Sequence, residues 1–330
     1  MIVLNGVNFG NVFNASGALN FFGQGWLYHK PYKLLPGFSF EGSTFIAKTT
    51  TYDPRKGNLT LKTNFQPQKL FPDCVKVYFK KNLILNAVGL SGPGAELLFS
   101  QNFWQKRTNP FLLSFMAVGP TTKTCLDETR KFISLLKREL FFFRTKIGLE
   151  INLTCPNTEH NPEEYFSKAR ALLLEARYLN IPLIIKINAL TCVQAVKELV
   201  DNQYCDAIST TNTIPWFKLP ERIDWLGLFG SSKSPLYKYG GGGLSGWPLL
   251  PIVLDQIKAM RQAGIKVPII GGGGILKESD VFLFKKAGAD AVSIGSVALL
   301  RPHRVKSIIK AANLVFEEKD HEFDNNNKTG

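Results

Sequence analysis

The sequence predicts an α/β chain folded as a (β/α)8 TIM barrel. Short apolar runs alternate with helix-patterned segments, the runs number eight, and the glycines crowd after the last of them. Strand-like runs fall at 12–17, 44–50, 112–118, 148–154, 183–187, 206–211, 268–272 and 291–295. Helix patterns cover 122–140, 162–179, 192–200, 248–263, 277–287 and 302–316, several with Pro, Thr or Ser near the first turn. Strands separated by helices of this length imply right-handed βαβ units and a parallel sheet. Eight repeats favour closure into a barrel over an open doubly wound sheet. A single barrel domain is expected over 1–317, with a polar, frayed tail at 318–330. Two long connections, 23–42 and 52–111, follow the first and second strands and are expected to cover the C-terminal mouth.

Composition narrows the function classes. With 45% hydrophobic and 20% charged residues, the chain has ample material for a core. No apolar run approaches the ~18 residues of a membrane span, and the first residues lack the pattern of a secretory leader. Cys74, Cys125, Cys155, Cys192 and Cys205 include no Cys-x-x-Cys pair, so neither zinc nor an iron–sulfur cluster is expected. A reducing, cytoplasmic setting fits, without metal or membrane. The net charge of +14 is spread along the chain without a nucleic-acid-binding motif. It reads as a solvated basic surface that also attracts an anionic substrate, and no nucleic-acid partner is expected.

Three groups of residues point to chemistry. In the run from Leu149 to Asn157, Leu149, Ile151 and Leu153 alternate as strand residues do, and Pro156 ends the ladder. Cys155 is thereby delivered to a strand end, where barrel enzymes place reactive groups, although a turn with an incidental thiol also fits the segment alone. Lys48 and Lys186 lie in or at the end of apolar strands, where burial is costly unless an anion or hydrogen-bonding ring is met. Together they suggest a reduced flavin and an anionic substrate, whereas one alone could snorkel to solvent. Asn86, Asn152, Asn157 and Asn212 can read a planar heterocycle by donating and accepting, or can each serve as a cap or turn residue. The glycine groups at 240–246, 271–274 and 295 sit where strands seven and eight of such barrels bind phosphate. Any one of them alone also fits a flexible turn, whereas the three in these places favour a phosphate pocket.

In combination these segments resemble the dihydroorotate dehydrogenases, in the soluble class that uses cysteine as base. The resemblance extends over most of the chain, from Asn14-Ala15-Ser16-Gly17 to Arg301-Pro302. It is carried by Ile46-Ala47-Lys48-Thr49-Thr50-Thr51, Asn86-Ala87-Val88-Gly89-Leu90 and Asn152-Leu153-Thr154-Cys155-Pro156-Asn157. It continues in Thr210-Thr211-Asn212-Thr213, Gly242-Gly243-Leu244-Ser245-Gly246 and the glycines 271–274.

The resemblance implies FMN-dependent oxidation of dihydroorotate to orotate in de novo pyrimidine (UMP) biosynthesis. Cys155 is then the general base at carbon 5, and hydride passes from carbon 6 to FMN. The substrate-binding residues implied are Lys48, Asn86, Val88, Gly89, Leu90, Asn152, Asn157, Asn212 and Thr213. Those implied for the cofactor begin with Ala15, Ser16, Gly17, Lys48, Thr49, Asn152 and Thr211 around the flavin ring. Lys186 is implied to stabilise the reduced ring, and Gly246, Gly273, Gly274, Gly295 and Ser296 to surround the phosphate. The segment from Cys155 to Glu164 is expected to act as a lid, and His160 within it is an alternative base.

The chain departs from the family pattern at Ser91-Gly92, at the bulky Trp247 and in 23–42. These departures leave the electron acceptor open between fumarate, quinone and NAD reached through a separate FAD and iron–sulfur subunit. A homodimer is the other expected partnership. The competing readings are an FMN enzyme for another pyrimidine of dihydrouracil type, a flavin-free barrel with a covalent cysteine intermediate, and a non-catalytic FMN-binding barrel.

Overall fold

The computed structural model describes residues 1–34, 36–153 and 162–317, the side chains of 162–165 excepted. Cys155, Asn157 and His160, most of the expected lid, and the tail at 318–330 lie outside the described residues. No helix among the described residues is long and apolar enough to cross a membrane.

Seven strands form a single curled parallel sheet. In spatial order they are Val12–Asn14, Ala291–Ile294, Ile269–Gly272, Ala207–Thr210, Leu183–Ile187, Ile147–Asn152 and Phe111–Phe115. Each coincides with an apolar run of the sequence. The eighth run, 44–50, occupies the place between the two edge strands. It does so by isolated parallel bridges rather than as a regular strand: Thr44 meets Phe13, Ile46 meets Leu112, and Thr50 meets Phe115. Its amides at Thr44, Ala47 and Thr50 donate to Val12, Leu112 and Ser114 carbonyls at 2.7, 2.9 and 2.9 Å. Bonding alternately to both flanks completes the ring.

Helices Thr122–Glu139, Pro162–Arg177, Val193–Asp201, Leu250–Gln262, Glu278–Ala287 and Val305–Glu317 follow the expected order. The first opens on a reciprocal cap, with Thr121 Oγ1 accepting from the Thr124 amide and Thr124 Oγ1 from the Thr121 amide. Its apolar stripe is buried through Phe132, and that ring stacks on Phe115 of the sheet at 4.0 Å between centroids.

Strand alternation produces two layers inside the barrel. Phe13, Ile46, Leu112, Ile184, Ala207, Ile270 and Ala291 form a dry layer with Ile2, Leu4 and Phe9 of the N-terminal hairpin. Two positions further along, the same face carries Ala15, Lys48, Ser114, Lys186, Ser209, Gly272 and Ser293. The inward stripe therefore changes from apolar to polar toward the strand ends. A hydrophobic plug thus supports a polar floor.

The long connection 52–111 is more ordered than the sequence implies. It contains strands Val75–Tyr78 and Leu83–Asn86 and helix Ala95–Ser100. These strands join Gly243–Gly246 and Ile214–Pro215 in a second, antiparallel sheet. The segment at 243–246, read from sequence as part of a phosphate-binding glycine group or a flexible turn, is thus a strand with its backbone committed to Leu83–Asn86.

Candidate active site

The polar floor opens into a cavity of about 930 Å³ bounded by the strand ends and the second sheet. Lys48 and Lys186, only 6% and 7% exposed, come from the bridging run 44–50 and from Leu183–Ile187. Lys48 Nζ donates to the Ser91 carbonyl at 2.6 Å and lies 4.7 Å from the centre of the Phe21 ring. With no carboxylate in ion-pair range among the described residues, burial pushes its pKa down to about 7. Lys186 Nζ instead stands 3.7 Å from Glu150 Oε1.

The amides gather from three directions. Asn152 ends strand Ile147–Asn152, and its Oδ1 accepts from Asn212 Nδ2 at 3.3 Å. Asn212 Oδ1 in turn accepts from the Thr213 amide at 3.0 Å, which fixes the start of that loop. Asn86 reaches the cavity from the second sheet, with Val88, Gly89 and Leu90 beside it. At the wall below, Ser16 Oγ and Thr49 Oγ1 are 2.8 Å apart, and Ala15, Gly17 and Thr211 adjoin them.

The third group is rich in glycine. Gly246, Gly273, Gly274, Gly295 and Ser296 line the cavity together. Gly246 at φ +106° and Gly273 at φ +120° hold conformations that side chains rarely adopt. A Cβ on Gly246 would lie 2.4 Å from the Asn82 carbonyl oxygen, so close packing requires glycine there as well. Every expected site residue among the described ones faces this cavity.

Sequence reasoning missed a further wall. Trp26, Tyr28 and Tyr32 enter from 23–42, and Leu70, Phe71 and Phe79 from 52–111. The Trp26 indole is anchored by donating to the Gly17 carbonyl at 2.8 Å. Aromatic density within an unaligned insertion was the available signal. Glu150 was missed too; a carboxylate two positions before Asn152, in an otherwise apolar strand, marked it.

This arrangement of two buried cations, clustered amides and a glycine-lined end suits a planar anionic ligand beside a phosphate-bearing one. A family model described as dihydroorotate dehydrogenase matches residues 2–314. The chain belongs to the dihydroorotate dehydrogenase family. It is accordingly an oxidoreductase, and the family serves pyrimidine synthesis.

Individual relatives are distant but extensive. The catalytic subunit of dihydroorotate dehydrogenase B (NAD(+)) from Anoxybacillus flavithermus is 27% identical over 306 residues, covering 90% of this chain and 85% of that protein. The corresponding subunit from Latilactobacillus sakei is 25% identical over 273 residues, covering 81% and 79%. Among solved structures, DHODH from Eimeria tenella in complex with ferulenol superposes with a TM-score of 0.65 at 21% identity, covering 95% of this chain and 83% of that one. That likeness is one of fold.

Proposed function

We propose that this member of the dihydroorotate dehydrogenase family oxidises dihydroorotate to orotate with FMN as cofactor and Cys155 as general base. The observation that carries the reading is the contrast between the two floor lysines: Lys186 has a carboxylate partner, and Lys48 has none among the described residues. A substrate carboxylate supplies the missing countercharge, which dihydrouracil lacks.

The cavity fits the cofactor by its donor set. Gly246, Gly273, Gly274, Gly295 and Ser296 would hold the phosphate, Ala15, Ser16, Gly17, Thr49 and Thr211 the ring, and Lys186 the electron-rich edge. When bound, FMN supplies the two-electron acceptor for the hydride from carbon 6.

The protein's own groups do the rest. Lys48 binds the substrate carboxylate, while Asn86, Asn152, Asn157, Asn212 and Thr213 orient the pyrimidine with the backbone of 88–90. Cys155 in its thiolate form takes the proton from carbon 5, and the electrons left there form the carbon 5–carbon 6 double bond as hydride leaves. Burial of the floor removes water that would compete for these contacts. The curated relatives are named catalytic subunits of NAD(+) enzymes, which supports a separate electron-transfer subunit for this chain.

The test is substrate discrimination by FMN-reconstituted protein with an artificial acceptor. Dihydroorotate is expected to turn over and dihydrouracil to remain inert. Equal rates on the two would contradict the assignment of Lys48 and favour a different pyrimidine.

A further inference from the structure

We infer that Glu150 is a positioning residue for Lys186, holding its ammonium at the cavity floor and setting the hydroxyl directions of the adjoining wall. The inference rests on the flavin reading above. Glu150 does not itself line the cavity, and its side chain is fully buried within strand Ile147–Asn152. A carboxylate in such a place is costly, and an apolar residue of similar size is often no less stable.

Its contacts are incomplete as a structural ion pair. Glu150 Oε1 accepts from Ser114 Oγ at 2.8 Å and faces Lys186 Nζ at 3.7 Å, beyond ordinary hydrogen-bond length. Its other oxygen, Oε2, has no hydrogen-bond partner among the described residues. Such an arrangement stabilises poorly but places a negative charge directly behind a cation that faces the ligand. Among the described residues Lys48 in the same layer meets the neutral Ser91 carbonyl and the Phe21 ring but no carboxylate, and burial depresses its pKa. Glu150 gives Lys186 the countercharge that Lys48 lacks.

The second connection runs through hydroxyls. Ser114 directs its proton to Glu150, so at 2.9 Å it accepts from Thr49 Oγ1. Thr49 Oγ1 is then left as an acceptor 2.8 Å from Ser16 Oγ, whose one proton is shared between it and the Ala47 carbonyl at 3.0 Å, while the Thr49 amide donates to Ser16 Oγ at 2.9 Å. Ser16, Thr49 and Lys186 all line the cavity, so one buried carboxylate orients polar groups at two sides of the expected flavin site.

The experiment compares full-length protein with Glu150→Gln, Lys186→Gln and the double variant. The readouts are FMN affinity of the apoprotein and the reduction potential of the bound flavin. Glu150→Gln is expected to weaken FMN about tenfold, the lower end for loss of a supporting partner behind a binding group. It is also expected to move the potential in the same direction as Lys186→Gln, with the double variant no worse than Lys186→Gln alone. An unmoved potential in Glu150→Gln, or effects that simply add, would overturn the inference. If Glu150→Gln does not fold, Glu150→Asp serves, because the shorter side chain withdraws the carboxylate and should move the potential the same way. An unchanged potential in that variant would likewise overturn it. Parent protein that takes up no FMN would overturn the flavin reading and this inference with it, whereas FMN uptake with an unmoved potential overturns this inference alone.

Discussion

Lys48 is the residue on which substrate choice turns. Its folded pKa of about 7 lies below the ordinary 10.5 because burial penalises the charged form. The unfolded chain therefore binds more protons between these values, and the ligand-free fold gains stability as pH rises through them. Below pH 7 the full cost is present. The stability gap between Lys48→Met and the parent should accordingly narrow from neutral pH to pH 10, as followed by denaturant unfolding. An anionic ligand reverses the balance by favouring the ammonium. Orotate binding at pH 8 should take up protons, measured by calorimetry in buffers of different ionisation enthalpy. Binding without proton uptake would contradict a carboxylate contact at Lys48.

Cys155 carries a separate expectation. Cys155→Ala should retain FMN yet slow flavin reduction by dihydroorotate by about two to four orders of magnitude, the usual worth of a general base. Stopped-flow absorbance measures it, and an unchanged rate would transfer the role to another group. The placement of Lys48, Lys186, Asn86, Asn152 and Asn212 at the cavity was legible because charged and amide residues stand out at apolar strand ends. Glu150 stood out only as a carboxylate in an apolar strand, and no local pattern shows its pairing with Ser114 and Lys186 on neighbouring strands.

Among the elements, the seven parallel strands and six long helices were legible from alternation and from their opening residues. The second sheet was not. Its strands are short, and Gly243–Gly246 has glycine at both ends, so its composition signals a turn while pairing with Leu83–Asn86 makes a strand. The run 44–50 shows the opposite case, an apolar pattern that yields only isolated bridges because its hydrogen bonds alternate between two neighbours. Gly246 joins element to site. Gly246→Ala should cost about 1–3 kcal/mol through backbone strain, because a Cβ there meets the Asn82 carbonyl at 2.4 Å. Thermal unfolding of the ligand-free protein reads the loss, and an unshifted midpoint would show that the turn can relax.

At the scale of the whole molecule, the barrel separates support from chemistry. A dry layer closed by the N-terminal hairpin lies beneath a polar layer, and the two long connections complete the cavity above it. Among the described residues there is no group of His, Cys, Asp or Glu able to hold a metal ion. The separate electron-transfer subunit proposed above predicts that the FMN-loaded chain alone reduces an artificial dye but not NAD with electrons from dihydroorotate. NADH formation by the isolated chain, followed by absorbance, would remove the need for a separate electron-transfer subunit. The central claim is tested most directly by mixing FMN-reconstituted protein with dihydroorotate in the absence of oxygen. Prompt bleaching of the flavin absorbance, with orotate formed in equal amount, is the predicted result. A bound flavin that stays oxidised would contradict it.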